Sequence, residues 1–118
     1  MGKILIIDDE RAIRRALKEI LEFLFGNKND MIKDFQNRGA IIIDVRTTKE
    51  FNQGAIAGSK NIPLQIINSK IESIKKHNKP VITCCASGIR SGSAASILKS
   101  NGIEVINGGG WMSLNRKL

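Results

Sequence analysis

The chain has 118 residues, 42% of them hydrophobic but only 4% aromatic, with no tyrosine. This is one domain of ordinary size, able to bury roughly two thirds of its unfolded surface around Ile, Leu and Val. Nineteen basic residues face eleven acidic ones, a net charge of +8, yet the cations lack the interleaved aromatics of a nucleic-acid binder and no apolar run reaches membrane-spanning length.

In chain order, Lys3-Ile4-Leu5-Ile6-Ile7 is a short apolar strand running into Asp8-Asp9, either of which can cap a helix. Ile13, Leu17, Ile20, Leu21 and Leu24 then give a helical stripe with Arg and Lys opposite. Residues 26–30 read as a break, and 31–38 as a short helix with Ile32 and Phe35 inward, stopped by Gly39. Ala40–Val45 is a buried strand. Thr47, with Glu50 three positions on, predicts a capped helical turn. Gly54–Gly58 is a loop and Asn61-Ile62-Pro63 a very short extended segment. Ile67, Ile71 and Ile74 mark the next helix, and residues 80–85 the next strand. A helix over 91–100, ended by Asn101-Gly102, precedes a last strand over Glu104–Asn107. Gly108–Gly110 and a tail with Trp111 close the chain. Strands alternating with helices on short connections imply a parallel sheet covered on both faces, with ligands outside the carboxyl ends of the strands. Asp8, Asp44 and Cys85 sit at such ends.

The charge is uneven. Residues 1–54 carry ten basic and nine acidic groups, whereas 55–118 carry nine basic and only Glu72 and Glu104 as acids. The second half should draw in small anions. Within it, Cys85-Ala86-Ser87-Gly88-Ile89-Arg90 lies between a strand and a helix. The helix start offers unpaired N–H groups and partial positive charge, which with Arg90 favour the thiolate, the nucleophilic form. Gly88 lets the backbone bend so that N–H groups converge on one point. A salt bridge from Arg90, for instance to Asp44, is compatible with that role. Strand alternation turns Cys84 away from Cys85, into the core. Adjacent cysteines do not readily pair, which suits a reducing, cytoplasmic setting. Lys3 is followed by too few apolar residues for a secretory signal. His77 reads as a surface residue, and without a Cys/His cluster no metal is expected.

From about residue 31 to 112 the chain resembles the rhodanese-like sulfurtransferase family. The matching stretches are Ile43-Asp44-Val45-Arg46 with Glu50-Phe51, then Gly54–Pro63, then Cys85–Ser91, then Asn107-Gly108-Gly109-Gly110-Trp111. Ala55 departs from the family's common Gly-His-Ile triplet. The resemblance implies a three-layer α/β/α sandwich with a central parallel sheet of about five strands, and a cysteine that carries sulfur as a persulfide. Residues 1–24 resemble instead the opening βα unit of a bacterial response-regulator receiver domain, whose Asp pair would bind Mg²⁺. Together the two imply a single domain over 1–118 in which a receiver-like unit, joined by engineering in one reading, completes the rhodanese sheet.

The function expected is sulfur transfer from thiosulfate or a similar anionic donor, through Cys85, to cyanide or a thiol. Arg90 would steer the donor and stabilise the leaving group. Ala86, Ser87, Gly88, Ile89, Ser91, Asp44 and Arg46 would surround the substrate, with no metal or organic cofactor and the chain a monomer. A phosphatase or arsenate reductase is the alternative, since Cys84 to Arg90-Ser91 also fits a cysteine, five residues, arginine, Ser/Thr pattern. A receiver-like module using Asp8, Asp9 and Asp44, or a designed chimera of little activity, is a third reading.

Overall fold

The structure, a computed structural model, describes residues 10–25 and 27–118. The chain divides into two compact units, the first ending at Met31 and the second spanning Ile32–Leu118. In the first, α1 (Glu10–Phe25) forms over the expected stripe, and Arg14 pairs with Glu10 one turn back at 2.7 Å. On it Ile13, Leu17 and Ile20 are exposed, at 42%, 54% and 52%. The strand expected at Lys3–Ile7 and the Asp8–Asp9 pair lie outside the described residues, and with them the expectation that residues 1–24 complete the sheet.

Helix α2 (Lys28–Asn37) starts earlier than expected. Asn27 and Asp30 cap each other's backbone N–H groups, at 3.1 and 3.3 Å, so the supposed break already holds the first turn. Its buried Ile32 and Phe35 carry the helix onto the sheet.

The second unit continues with β1 (Ile41–Asp44), α3 (Thr48–Asn52), β2 (Lys60–Asn61), a 3₁₀ run over Leu64–Lys70, α4 (Ile71–Lys76), β3 (Val81–Cys85), α5 (Ile89–Ser100), β4 (Val105–Gly110) and α6 (Trp111–Lys117). All strand pairings are parallel, in the order β2-β1-β3-β4. The described sheet therefore has four strands, where about five were expected. The capping box at Thr47 is present as predicted. The helix marked by Ile67, Ile71 and Ile74 begins as 3₁₀ turns after Pro63 and becomes α-helical at Ile71.

Strand β3 is buried along its whole length, as a central parallel strand must be. Val81 and Cys85 face one core with Ile43, Val45, Ile67, Ile71, Ile74, Ala94 and Leu98, beneath α4 and α5. Ile82 and Cys84 face the other core with Ile32, Phe35, Ile56 and Leu114, beneath α2 and α6. That is a three-layer α/β/α sandwich. The last strand runs longer than expected, because Gly108–Gly110 belong to it. Thr83 pairs with Asn107 but Cys85 pairs with Gly110, so β4 carries one extra residue opposite the end of β3. Such a bulge re-aims a strand beside a site. A Cβ at Gly108 would sit 2.8 Å from Ile82, Leu114 and the Thr83 carbonyl, and one at Gly110 2.9 Å from the Ala86 carbonyl. Glycine alone lets β4 pass this close to the loop that follows Cys85.

Candidate active site

Cys85 ends β3, and α5 begins four residues later. Between them Gly88 takes φ +105°, ψ −8° at the N-cap of α5, a left-handed geometry that disfavours any side chain. This turn brings the Gly88 N–H to 3.0 Å from the Cys85 Sγ and the Ser91 N–H to 3.4 Å. The Ser91 Oγ lies 3.3 Å from the same sulfur. Burial works to push the Cys85 thiol up. The Ser91 hydroxyl and the N–H groups of Ser91, Gly88 and Ser87 outweigh it and leave the thiol below its ordinary value. The cradle is therefore built from residues 87, 88 and 91. Ala86, Ser87 and Ile89 are exposed on the loop's outer surface, Ile89 at 79%. The sulfur beneath them is fully covered.

Cys84 lies on the opposite face, fully buried, and burial followed by the nearby Asp44 charge pushes its thiol up to about 12. A phosphatase-like loop counted from Cys84 thus has its nucleophile in the wrong core.

The charged residues pair differently from expectation. Arg90 meets Glu50, not Asp44, in a two-pronged contact at 2.7 and 3.0 Å. Glu50 also closes the capping box of α3, so one carboxylate ties α3 to the first turn of α5. The hydrogen bonds from Arg90, and then from the Thr47 backbone, hold the Glu50 carboxyl down at about 2. Asp44 and Arg46, expected around the donor, turn to each other instead. Arg46 is 4% exposed and Asp44 fully buried, joined by bonds of 2.7 and 3.0 Å. Arg46 also donates to the Gly54 carbonyl at 2.7 Å and lies 4.7 Å from the Trp111 ring centroid. The pair clamps α3, the Gly54 loop and α6 together, each charge facing the other in the interior.

Two further residues support the cradle. Thr83 Oγ1 donates to the Ser91 carbonyl at 2.9 Å. Asn107 on β4 contacts Ser91, Gly88 and Gly109 at 2.7, 3.0 and 2.9 Å. Thr83 was visible in the sequence only as an ordinary strand residue, and Asn107 as the first residue of a family-matching stretch, with no side-chain role marked for either. Among the described residues no group of three or more His, Cys, Asp or Glu side chains could hold a metal ion, and no helix is long and apolar enough to cross a membrane.

The model of the rhodanese-like domain matches residues 28–116. The chain belongs to the rhodanese-like domain family. The uncharacterized protein YqhL of Bacillus subtilis is 42% identical over 69 residues, covering 58% of this chain and 54% of that protein. The fission yeast Schizosaccharomyces pombe protein named "Putative thiosulfate sulfurtransferase, mitochondrial" is 30% identical over 96 residues, 70% of this chain and 68% of its own. Among solved structures, one titled "rhodanese with anions from E. coli" is 33% identical with a TM-score of 0.57, covering 62% of this chain and 88% of that one. This rhodanese-like chain spans about half the length of the Bacillus relative. The comparisons give no support to a receiver-like origin for residues 1–24, nor to an engineered joining.

Proposed function

We propose that this rhodanese-like domain is a sulfurtransferase working through a persulfide on Cys85. What carries the reading is the Cys85 sulfur, seated at the start of α5 with the Gly88 N–H 3.0 Å away. Groups that accept a thiolate there also accept a sulfur-bearing anion. The thiolate attacks the outer sulfur of thiosulfate or a similar donor. A new S–S bond forms on Cys85 as the donor's S–S bond breaks, and its electron pair leaves with sulfite. Cyanide then takes the outer sulfur as thiocyanate, or a thiolate takes it as a new persulfide, and Cys85 returns as thiolate. No step consumes a cofactor, and such chemistry suits a reducing, cytoplasmic setting.

Because the sulfur is covered, the donor enters only when the loop moves. The half-exposed Arg90–Glu50 pair is the contact on its rim that can part. Arg90, released, meets the donor's negative charge and the charge growing on the leaving group. The supporting relative is the yeast protein whose name refers to thiosulfate sulfur transfer.

Measuring thiocyanate formation from thiosulfate and cyanide, alongside hydrolysis of an aryl phosphate, tests this. Cys85→Ser should abolish thiocyanate formation, Cys84→Ser should retain most of it, and the phosphate should be left intact. Sulfur transfer that survives loss of Cys85, or phosphate hydrolysis that outpaces it, overturns the proposal.

A further inference from the structure

Ser91 has one hydroxyl proton and two neighbours placed to receive it: the Cys85 sulfur at 3.3 Å and the Asn107 Oδ1 at 2.7 Å. The orientation of the Asn107 amide is fixed from both ends. Its Nδ2 donates to the Gly88 carbonyl at 3.0 Å, and its Oδ1 accepts from the Gly109 N–H at 2.9 Å. Flipping the amide would set oxygen against oxygen and N–H against N–H. The oxygen facing Ser91 is therefore an acceptor with no proton of its own and takes the Ser91 proton, whereas the Cys85 thiol has a proton to donate to Ser91. Left facing the sulfur are the lone pairs of Ser91 Oγ, which suit a neutral S–H and repel a thiolate.

We propose that Asn107 is a positioning residue for Cys85, acting through Ser91: it holds the Ser91 proton away from the sulfur while Cys85 is a thiol, and yields it when the thiolate forms. On ionisation the thiol proton leaves to water. The Ser91 proton stays on its own oxygen and swings about the C–O bond, exchanging a hydrogen bond to Asn107 for one to the sulfur. The thiolate is then met by the Ser91 hydroxyl together with the N–H groups of Gly88 and Ser91. Persulfide formation draws the charge off this sulfur and lets the hydroxyl return. The arrangement depends on close packing of α5 on β4, since a Cβ at Gly92 would lie 3.2 Å from the Asn107 Nδ2. The role rests on Cys85 being the working thiol, but its test does not require sulfur transfer.

The test follows iodoacetamide alkylation of Cys85 against pH, with the labelled residue located by peptide mass. Asn107→Leu frees the Ser91 hydroxyl for the sulfur, so the midpoint should fall by about 0.5–1 pH unit, the worth of one hydrogen bond. Ser91→Ala should raise the midpoint, and in that background Asn107→Leu should move it no further. An unchanged or raised midpoint in Asn107→Leu, or an equal shift with and without the Ser91 hydroxyl, overturns the proposal. Should Asn107→Leu fail to fold, Asn107→Asp serves. It keeps the acceptor for Ser91 and Gly109 and adds negative charge, so the midpoint should rise, and a fall overturns the proposal. Loss of thiocyanate formation with these coupled midpoints intact would count against the sulfurtransferase reading alone.

Discussion

Replacing Gly88 with Ala perturbs the cradle at the residue that shapes it. At φ +105° a side chain costs about 1–3 kcal/mol in backbone strain. The added Cβ would also meet the Gly109 Cα at 3.2 Å, so the strand beside it must shift by a few tenths of an ångström. Together these predict a loss of about 2–3 kcal/mol in folding stability. The larger consequence is chemical. If the peptide relaxes toward negative φ, its N–H turns off the Cys85 sulfur, and a hydrogen bond to a charged group is worth about 1.5–3 kcal/mol. The Cys85 midpoint should then rise by about 1–2 pH units. Urea unfolding reads the first effect and pH-dependent alkylation the second. A variant that loses less than about 0.5 kcal/mol and alkylates with the unaltered pH profile would refute the claim that this turn aims the amide at the sulfur.

Asp44→Ala leaves the buried Arg46 without its carboxylate and should cost about 3–5 kcal/mol by urea unfolding; a loss below about 1 kcal/mol would mean that water or another group replaces the carboxylate. The Glu50 carboxyl falls from its ordinary 4.5 to about 2 on folding. Its contribution to stability is therefore complete above about pH 4.5 and lost as pH falls toward 2. Glu50→Gln should flatten the stability profile over that interval, and an unflattened profile contradicts the pairing with Arg90. The same variant releases Arg90 and should lower the KM for thiosulfate several-fold if Glu50 competes with the donor, whereas an unchanged KM would show that the pair stays closed during turnover.

The parallel sheet was legible because β-branched and leucine-rich runs alternate with helical stripes over short connections, a pattern that admits few topologies. The seat of the Cys85 thiol was legible because cysteine, glycine and arginine sit at fixed spacing after a buried strand, and because alternation along β3 separates Cys84 from Cys85. Pairing was less so. Asp44, Glu50 and Arg90 all lie near strand ends, and sequence spacing does not say which carboxylate reaches which guanidinium. The two-residue span from Asp44 to Arg46 lets that arginine fold back on its own strand end, leaving Glu50 for Arg90. The role of the Asn107 side chain escaped notice for a different reason. Its partners lie 16 and 19 residues away and meet it only because a bulge in a glycine-rich strand brings β4 against the loop. The stripe on α1 correctly marked a helix, but periodicity marks an apolar face without naming what covers it.

Intact mass spectrometry after exposure to thiosulfate tests the central claim most directly. One added sulfur atom should appear per chain, map to Cys85, vanish on treatment with cyanide and be absent from Cys85→Ser. A chain that takes up no sulfur while folded, or carries it on Cys84, would contradict the account.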